Sequence, residues 1–288
     1  MRVLAFGEVL WDVINGQYHI GGAPLNFAAH CVQCKIPAAL VSAYGNDELG
    51  RLTLEKVKSL KVDTSFLQKA NRPTGTVPVR LISGQPQYEI VENVAFDFID
   101  YQKIDPEALQ EFDYFYFGTL VQRNEASRTS LRKILEICSF RQVFLDVNIR
   151  QNFYDKPTLE YSLKQSTILK LNDEEVGILA NVLFFQSMGF NEFTEKVMQA
   201  YPNVEVVIIT KGKDGCLVRS VSEIIDVPAP IIRVKDTVGA GDAFSAAFCA
   251  TYFASNDLHA AVKNALRVGG FVASKSGAIP FYDNGIWS

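Results

Sequence analysis

The chain has 288 residues, 48% hydrophobic and 21% charged, which supports a sizeable core and excludes global disorder. Its formal net charge is −4, with three histidines and no run of Lys and Arg, so no nucleic-acid partner is expected. No apolar run is long enough to cross a bilayer, and the start MRVLAFGEVLWD carries Glu8 and Asp12 without a small-residue cleavage site. The expectation is a cytoplasmic protein that engages no membrane.

In chain order, strands are predicted at 3–7 (VLAFG), 39–45 (ALVSAYG), 114–118 (YFYFG), 142–148 (QVFLDVN), 167–172 (TILKLN), 204–210 (VEVVIIT) and 216–220 (CLVRS). Most are continuous apolar runs, the pattern of strands buried on both faces. Amphipathic stretches predict helices near 24–35, 47–60, 125–138, 158–165, 173–180 and 191–200, and two more close the chain near 241–254 and 257–275. This alternation implies an α/β fold with a doubly wound, mostly parallel sheet flanked by helices, in one domain over 1–288. One stretch departs from the rhythm. In residues 75–99, VPVRLI and QYEIV carry β-type residues joined by SGQP, with no helix between them. The reading is a small antiparallel β lid or an edge hairpin. Five cysteines include Cys31 and Cys34 in CVQC, but no second pair completes a metal site, so they read as core residues of a helix.

The strand ends read FGE, YGND, FGT, DVNIR, KLNDEE and ITKGKDG. In open parallel sheets ligands bind beyond these carboxyl ends, and six polar exits on one rim suit a phosphate-bearing ligand. The stretch DTVGAGDAF at 236–244 is the most informative. As a dinucleotide loop it fails: Gly239 and Gly241 match, but Phe244 stands at the third glycine. A P-loop also fails, because Gly45 to Gly50 is followed by Arg51 and Leu52 rather than Lys and Ser or Thr. A plain helix cap leaves Asp242, directly after the glycine pair, without a purpose. The glycines permit close backbone approach, and the helix start presents N–H groups and partial positive charge to an anion. That field is expected to keep Asp242 ionised. A carboxylate beside an anion hole is what phosphoryl transfer to a hydroxyl requires.

DTVGAGDAF resembles the carboxyl-side signature of the ribokinase-like (PfkB) sugar kinases. GGAPLNFA at 21–28 and GNDELG at 45–50 resemble their amino-side signature, KLNDEE carries their Asn-x-x-Glu element, and TKGKDG at 210–215 matches their nucleotide loop. These elements follow the family's order and spacing across nearly the whole chain. The resemblance implies an ATP-dependent sugar kinase using Mg²⁺, with Asp242 as general base and Gly239, Ala240 and Gly241 as anion hole. It places Asn172, Thr210, Lys211, Gly212 and Gly215 along ATP and Glu175 near Mg²⁺ through water. Lys211 stands where many relatives carry an apolar residue. Asp12, Gly21, Gly22, Asn26 and Arg150 would surround the sugar, under a lid built from inserts near 9–20 and 75–100. Asp236 and the backbone of Val238 match part of the family's monovalent-cation (K⁺) site, joined by Gly277, while Phe281 replaces a serine found in some relatives. Many relatives pair through the lid, which implies a homodimer.

The pieces WD, GGAPLN, YEIVENVAFDFI and DVNIR most resemble bacterial fructokinases, so fructose phosphorylated at its 6-hydroxyl is the leading substrate. A 2-keto-3-deoxygluconate kinase or a ribokinase is the alternative, although ribokinases tend to have GGKGAN. Arg72 and Arg80 form no cluster of the kind a phosphofructokinase needs. From other classes, a silent sugar- or nucleotide-binding regulator is disfavoured by Asp242 with Gly239 and Gly241, and an NAD-dependent oxidoreductase by the missing third glycine.

Overall fold

The computed structural model describes residues 1–14, 16–82, 85–283 and 285–287, with the backbone alone over 79–82 and 85–87. The chain opens with β1 (Val3–Phe6), β2 (Leu10–Ile14), β3 (Gln17–Gly21), α1 (Ala23–Gln33), β4 (Ala38–Gly45), α2 (Glu48–Ser59), β5 (Leu67–Ala70), β6 (Gly75–Ile82) and β7 (Gln85–Tyr88). Next come α3 (Pro106–Leu109), β8 (Tyr114–Gly118), α4 (Glu125–Ile137), β9 (Gln142–Asp146), α5 (Lys156–Gln165), β10 (Ile168–Asn172), α6 (Asp173–Phe184) and α7 (Phe190–Ala200). It closes with β11 (Val206–Thr210), β12 (Cys216–Ser220), β13 (Ile224–Val227), α8 (Ala240–Ser255) and α9 (Leu258–Ala273).

The large sheet has the order β13-β12-β11-β10-β9-β8-β1-β4-β5. Neighbours are parallel from β5 through β11, and β12 and β13 add an antiparallel edge. Successive connections run outward from β1 in opposite directions, to β4 on one side and β8 on the other. Such a reversal opens a crevice at the strands' carboxyl ends. The continuous apolar runs are explained by the two faces. Ala5, Tyr116, Phe144, Ile168 and Ile208 pack beneath α1, α8 and α9. Their alternates Leu4, Phe117, Leu145, Leu169 and Ile209 pack against α4 to α7. A sheet covered on both sides has no face left for polar residues.

A second sheet has the order β3-β2-β6-β7. It consists of two antiparallel hairpins, β2–β3 and β6–β7, joined by the parallel pair β2–β6. Leu10, Val77, Ile90, Val94, Phe96 and Leu120 pack beneath it. The strand expected at QYEIV ends at Tyr88, and the chain then reaches a 3₁₀ turn at Ala95–Phe98. That turn is held by Asp97, which accepts from the Val94 N–H and pairs with Arg123 at 2.7 Å inside the protein. Of the SGQP turn, Ser83 and Gly84 lie outside the described residues.

The sequence reading missed β5 and β13, edge strands of four residues each, too short to show a period. Cys31 on α1 and Cys34, the residue that ends it, are both buried, and burial pushes the Cys34 thiol up to about 12. Among the described residues no His, Cys, Asp or Glu cluster could hold a metal, and no helix is long and apolar enough to cross a membrane.

The central packing depends on α8, whose Ala243 to Ala250 are all buried. Phe248 is fully buried, stacks on Tyr252 and meets Phe144 edge-on. Phe248→Ala is expected to cost about 3–5 kcal/mol, since the surrounding sheet and helices relax only partly into the cavity. Urea denaturation followed by circular dichroism reads this as a lowered midpoint.

Candidate active site

The site forms where the first turn of α8 meets the first turn of α1 above the strand ends. α8 begins at Gly239, in the left-handed region at φ 77°. A β-carbon there would lie 2.2 Å from the Ala278 carbonyl oxygen, so both conformation and space require glycine. Ala240 turns its N–H back to the Thr237 carbonyl at 3.2 Å. The donors left for an anion are those of Gly241 and Asp242, orphaned as at any helix start.

Asp242 Oδ2 accepts a 2.8 Å hydrogen bond from Asn26 Nδ2 on α1. Asn26 is 5% exposed, and its Oδ1 has no partner among the described residues. A buried acceptor in that state calls for a donor such as a ligand hydroxyl. α1 itself starts at Gly22, where a β-carbon would lie 2.4 Å from the Glu8 carbonyl oxygen. A glycine N-cap offers no side chain, and Glu8 Oε1 supplies the missing acceptor, taking the Ala23 N–H at 3.1 Å.

Beneath Asp242 lies a buried ion pair. Lys170 and Asp146 are directly opposite across the β10–β9 pairing. Lys170 Nζ donates to both Asp146 oxygens, at 3.0 and 2.8 Å. Tyr116 Oη and Ser245 Oγ each lie 3.2 Å from Asp146 Oδ2 as donors. Burial alone would lower the Lys170 pKa, but the Asp146 charge and hydrogen bonds overcome it, so the ammonium is held.

Burial and then the Asp146 charge raise the Asp242 carboxyl to about 6, while the Asn26 hydrogen bond, Lys170 and Arg150 oppose the rise. The expected downward pull of the helix start therefore loses to desolvation. Asp242 is still mainly ionised at neutral pH, but as a stronger base than an ordinary aspartate. Burial takes Glu8 to about 7, against backbone N–H bonds and the Arg150 charge. Burial raises Asp12 as well, with His19 and Arg150 opposing.

Arg150 is exposed, donates to the Ile149 carbonyl at 3.1 Å, and acts through its charge on Glu8, Asp12 and Asp242. It thus faces the same crevice. Asp12, in β2, is half-buried, and its Oδ2 lies 3.1 Å from where a β-carbon on Gly21 would stand.

Asn172 and Glu175 form a reciprocal capping box at the start of α6. Glu175 Oε2 accepts from the Asn172 N–H at 2.8 Å and Oε1 from the Ile149 N–H at 2.7 Å. Thr210 ends β11, and Gly212 and Gly215, both at positive φ, turn the chain into β12. The Lys211 ammonium pairs with Asp226 on β13 at 2.5 Å. Asp236 Oδ1 accepts from Val238 N and Oδ2 from Gly277 N, each at 3.0 Å. Arg72 stacks over Phe98, and the Arg80 side chain is outside the described residues.

Sequence reasoning placed Glu8, Asp146 and Lys170 within the polar strand exits FGE, DVNIR and KLNDEE but gave none of them a role. The signal available was a single charge inside each of two apolar runs, FLDV and ILKL.

A basic carboxylate beside a helix start, at the rim of a doubly wound sheet, is the equipment of a kinase acting on a hydroxyl. The sequence profile of the pfkB family carbohydrate kinases matches residues 2–284, and the chain belongs to that family. It is therefore an ATP-dependent sugar kinase. A sugar kinase of Pyrococcus horikoshii, described as uncharacterized and solved in complex with ATP, is 28% identical over 305 residues, covering 99% of this chain and 92% of its own. Its structure superposes with a TM-score of 0.80 over 96% of this chain and 94% of that one. A fructokinase of Rhizobium leguminosarum bv. trifolii is 28% identical over 265 residues, 86% of this chain and 79% of its own. A fructokinase of Xylella fastidiosa with bound ATP shares the fold at TM-score 0.87 and 18% identity, over 96% of this chain and 94% of that one.

Glu8 carries a pH dependence of stability. Between about 4.5 and 7 the folded state holds a proton on Glu8 that the unfolded chain has released. The Glu8 contribution to stability is therefore fully present below that window and is lost as pH rises through it. Glu8→Gln, which cannot ionise, should flatten this slope, with a difference from wild type on the order of 3 kcal/mol at pH 8 against pH 4.5. Guanidinium unfolding at the two pH values measures it.

Proposed function

We propose that the chain phosphorylates fructose at its 6-hydroxyl with ATP and Mg²⁺, and that Asp242 is the general base. The observation that carries this reading is the pair Asn26–Asp242 beside the Gly239–Gly241 turn. Asp242, at about 6, is mostly ionised near pH 7 yet basic enough to accept a hydroxyl proton as the oxygen attacks. The new O–P bond forms as the bond to the leaving ADP oxygen breaks, and the proton stays on Asp242. The N–H groups of Gly241 and Asp242 face the charge on the transferred group, and Gly239 and Ala240 shape the turn that presents them.

Asn26 Oδ1, buried and unpartnered, would accept from a sugar hydroxyl, and Asp12 would accept from others. Gly21 and Gly22 admit the sugar close to the backbone. Bound Mg²⁺ would neutralise phosphate charge. Asn172 and Glu175 suit an indirect contact to it through water, because both Glu175 oxygens already accept backbone N–H bonds. Thr210, Gly212 and Gly215 would flank ATP. Lys211 is engaged by Asp226 and is left as a wall of that region. For K⁺ the fit is poorer: both Asp236 oxygens are taken, Val238 contributes only backbone, and Phe281, 86% exposed, offers no side-chain oxygen.

Fructose is supported by the resemblance of WD, GGAPLN and DVNIR to fructokinases, and by the Rhizobium fructokinase among the relatives. Arg150, facing the crevice with no salt bridge among the described residues, favours 2-keto-3-deoxygluconate as the second reading, since a guanidinium suits an acidic sugar.

ADP release measured with Mg-ATP across fructose, ribose, 2-keto-3-deoxygluconate, tagatose and adenosine should be fastest on fructose. A preference for 2-keto-3-deoxygluconate would replace fructose, and silence on every sugar would sink the metabolic reading. Asp242→Asn should keep ATP affinity in calorimetry while kcat falls at least about a hundredfold. Near-normal turnover in that variant would remove Asp242 as the base.

A further inference from the structure

Lys170 has no evident structural reason to be where it is. It occupies the middle of β10, ILKLN, on a strand whose other central residues are fully apolar, and is 6% exposed. Asp146 stands opposite on β9 at 3% exposure. Buried ion pairs seldom outperform apolar residues of similar volume in stability, because both charges lose their hydration. The pair's placement points elsewhere. Both side chains project to the sheet face that α8 covers, and a β-carbon on Gly241 would lie 3.6 Å from Lys170 Nζ. Asp146 is also within reach of Ser245 Oγ, which lies one helical turn beyond Gly241 and 3.0 Å from its carbonyl oxygen.

We propose that Lys170 and Asp146 act as one positioning unit under the anion-binding turn: Asp146 fixes the ammonium beneath Gly241, and the two opposite charges together set the field in which Asp242 works. This deepens the kinase reading and rests on Asp242 as its base. Asp242 is faced by Asp146 from β9, Lys170 from β10, Arg150 from the loop after β9, Glu8 from the end of β1, Asn26 from α1 and Tyr116 from β8. Among these, Lys170 and Asp146 are the two charges bound to each other, so their effects on Asp242 oppose. Removing either one uncovers the other.

The experiment reads Asp242 directly, without turnover. Protein labelled with ¹³C at aspartate carboxyl carbons is titrated by NMR, and the Asp242 signal is assigned by its loss in Asp242→Asn. Lys170→Met leaves the Asp146 carboxylate unopposed and should raise the Asp242 midpoint by about one pH unit or more. Asp146→Asn leaves the ammonium unopposed and should lower it by a similar amount. Each single variant leaves one buried charge unpaired and is at risk of misfolding, so whichever of the two folds carries the test. In any variant that folds, a midpoint that stays put or moves the other way overturns the assignment, because a purely structural pair would not shift Asp242 in opposite directions. Since no sugar enters this titration, failure of the sugar panel and failure of this proposal are separate results. With a turned-over sugar, the acid limb of kcat/KM should move with the NMR midpoint, and Lys170→Arg should restore it.

Discussion

The 2.8 Å hydrogen bond from Asn26 to Asp242 joins residues 216 positions apart, and the site's geometry depends on it. It ties the first turn of α1 to the first turn of α8 across the crevice. Both helices are held from below by the same sheet face, and both start at a glycine whose β-carbon would strike a carbonyl oxygen. If either helix moved along its axis, the carboxylate would lose its donor and the turn at Gly239 would lose its packing against Ala278. The loop carrying Ala278 is fixed in turn from α1, because His30 Nε2 meets the Ala278 carbonyl at 2.9 Å and His30 Nδ1 meets the Tyr282 hydroxyl at 2.7 Å. Burial lowers the His30 pKa to about 4, so the ring is neutral and can bridge the two. One stripe of α1, Asn26 and His30, therefore sets both sides of the anion-binding turn.

Charge is concentrated where the sheet would otherwise be apolar. Asp146, Lys170, Glu175, Asp242 and Glu8 form a connected electrostatic cluster, in which Glu8 is reached through Asp242 and Arg150 lies at the mouth. Each of the buried carboxylates has a donor: Ala23 for Glu8, Lys170 for Asp146, Asn172 and Ile149 for Glu175, Asn26 for Asp242. Desolvation raises Glu8, Glu175 and Asp242 above the ordinary carboxylate range, and hydrogen bonds keep that rise in check. A proton acceptor close to neutrality results from that balance, which no single residue could produce.

Most of the sheet was legible in the chain because its strands are buried on both faces, so YFYFG and VVIIT read as continuous apolar runs. The helices at 125–137 and 190–200 were equally plain from their apolar stripes. β5 and β13 were hidden because four-residue edges carry no period, and the turn at Ala95–Phe98 was hidden because the buried Asp97–Arg123 pair holds it. In the site, DTVGAGDAF disclosed Asp242 and its glycines because the backbone there needs those residue types locally. The capping roles of Asn172 and Glu175 were also local and readable. Asp146 and Lys170 carried only a faint sign, one charge within each apolar run.

The sequence by itself determined the strand and helix alternation, the glycine turn before α8 and the carboxylate that follows it. Periodicity and backbone conformation are properties of neighbouring residues, and neighbours are what a sequence records. Only the tertiary structure decided which distant groups meet Asp242. Asn26, Lys170 and Asp146 arrive there through strand register and helix packing, and the same packing removes the water that would have kept Asp242 an ordinary acid. The basicity of that carboxylate is therefore a property of the assembled interior.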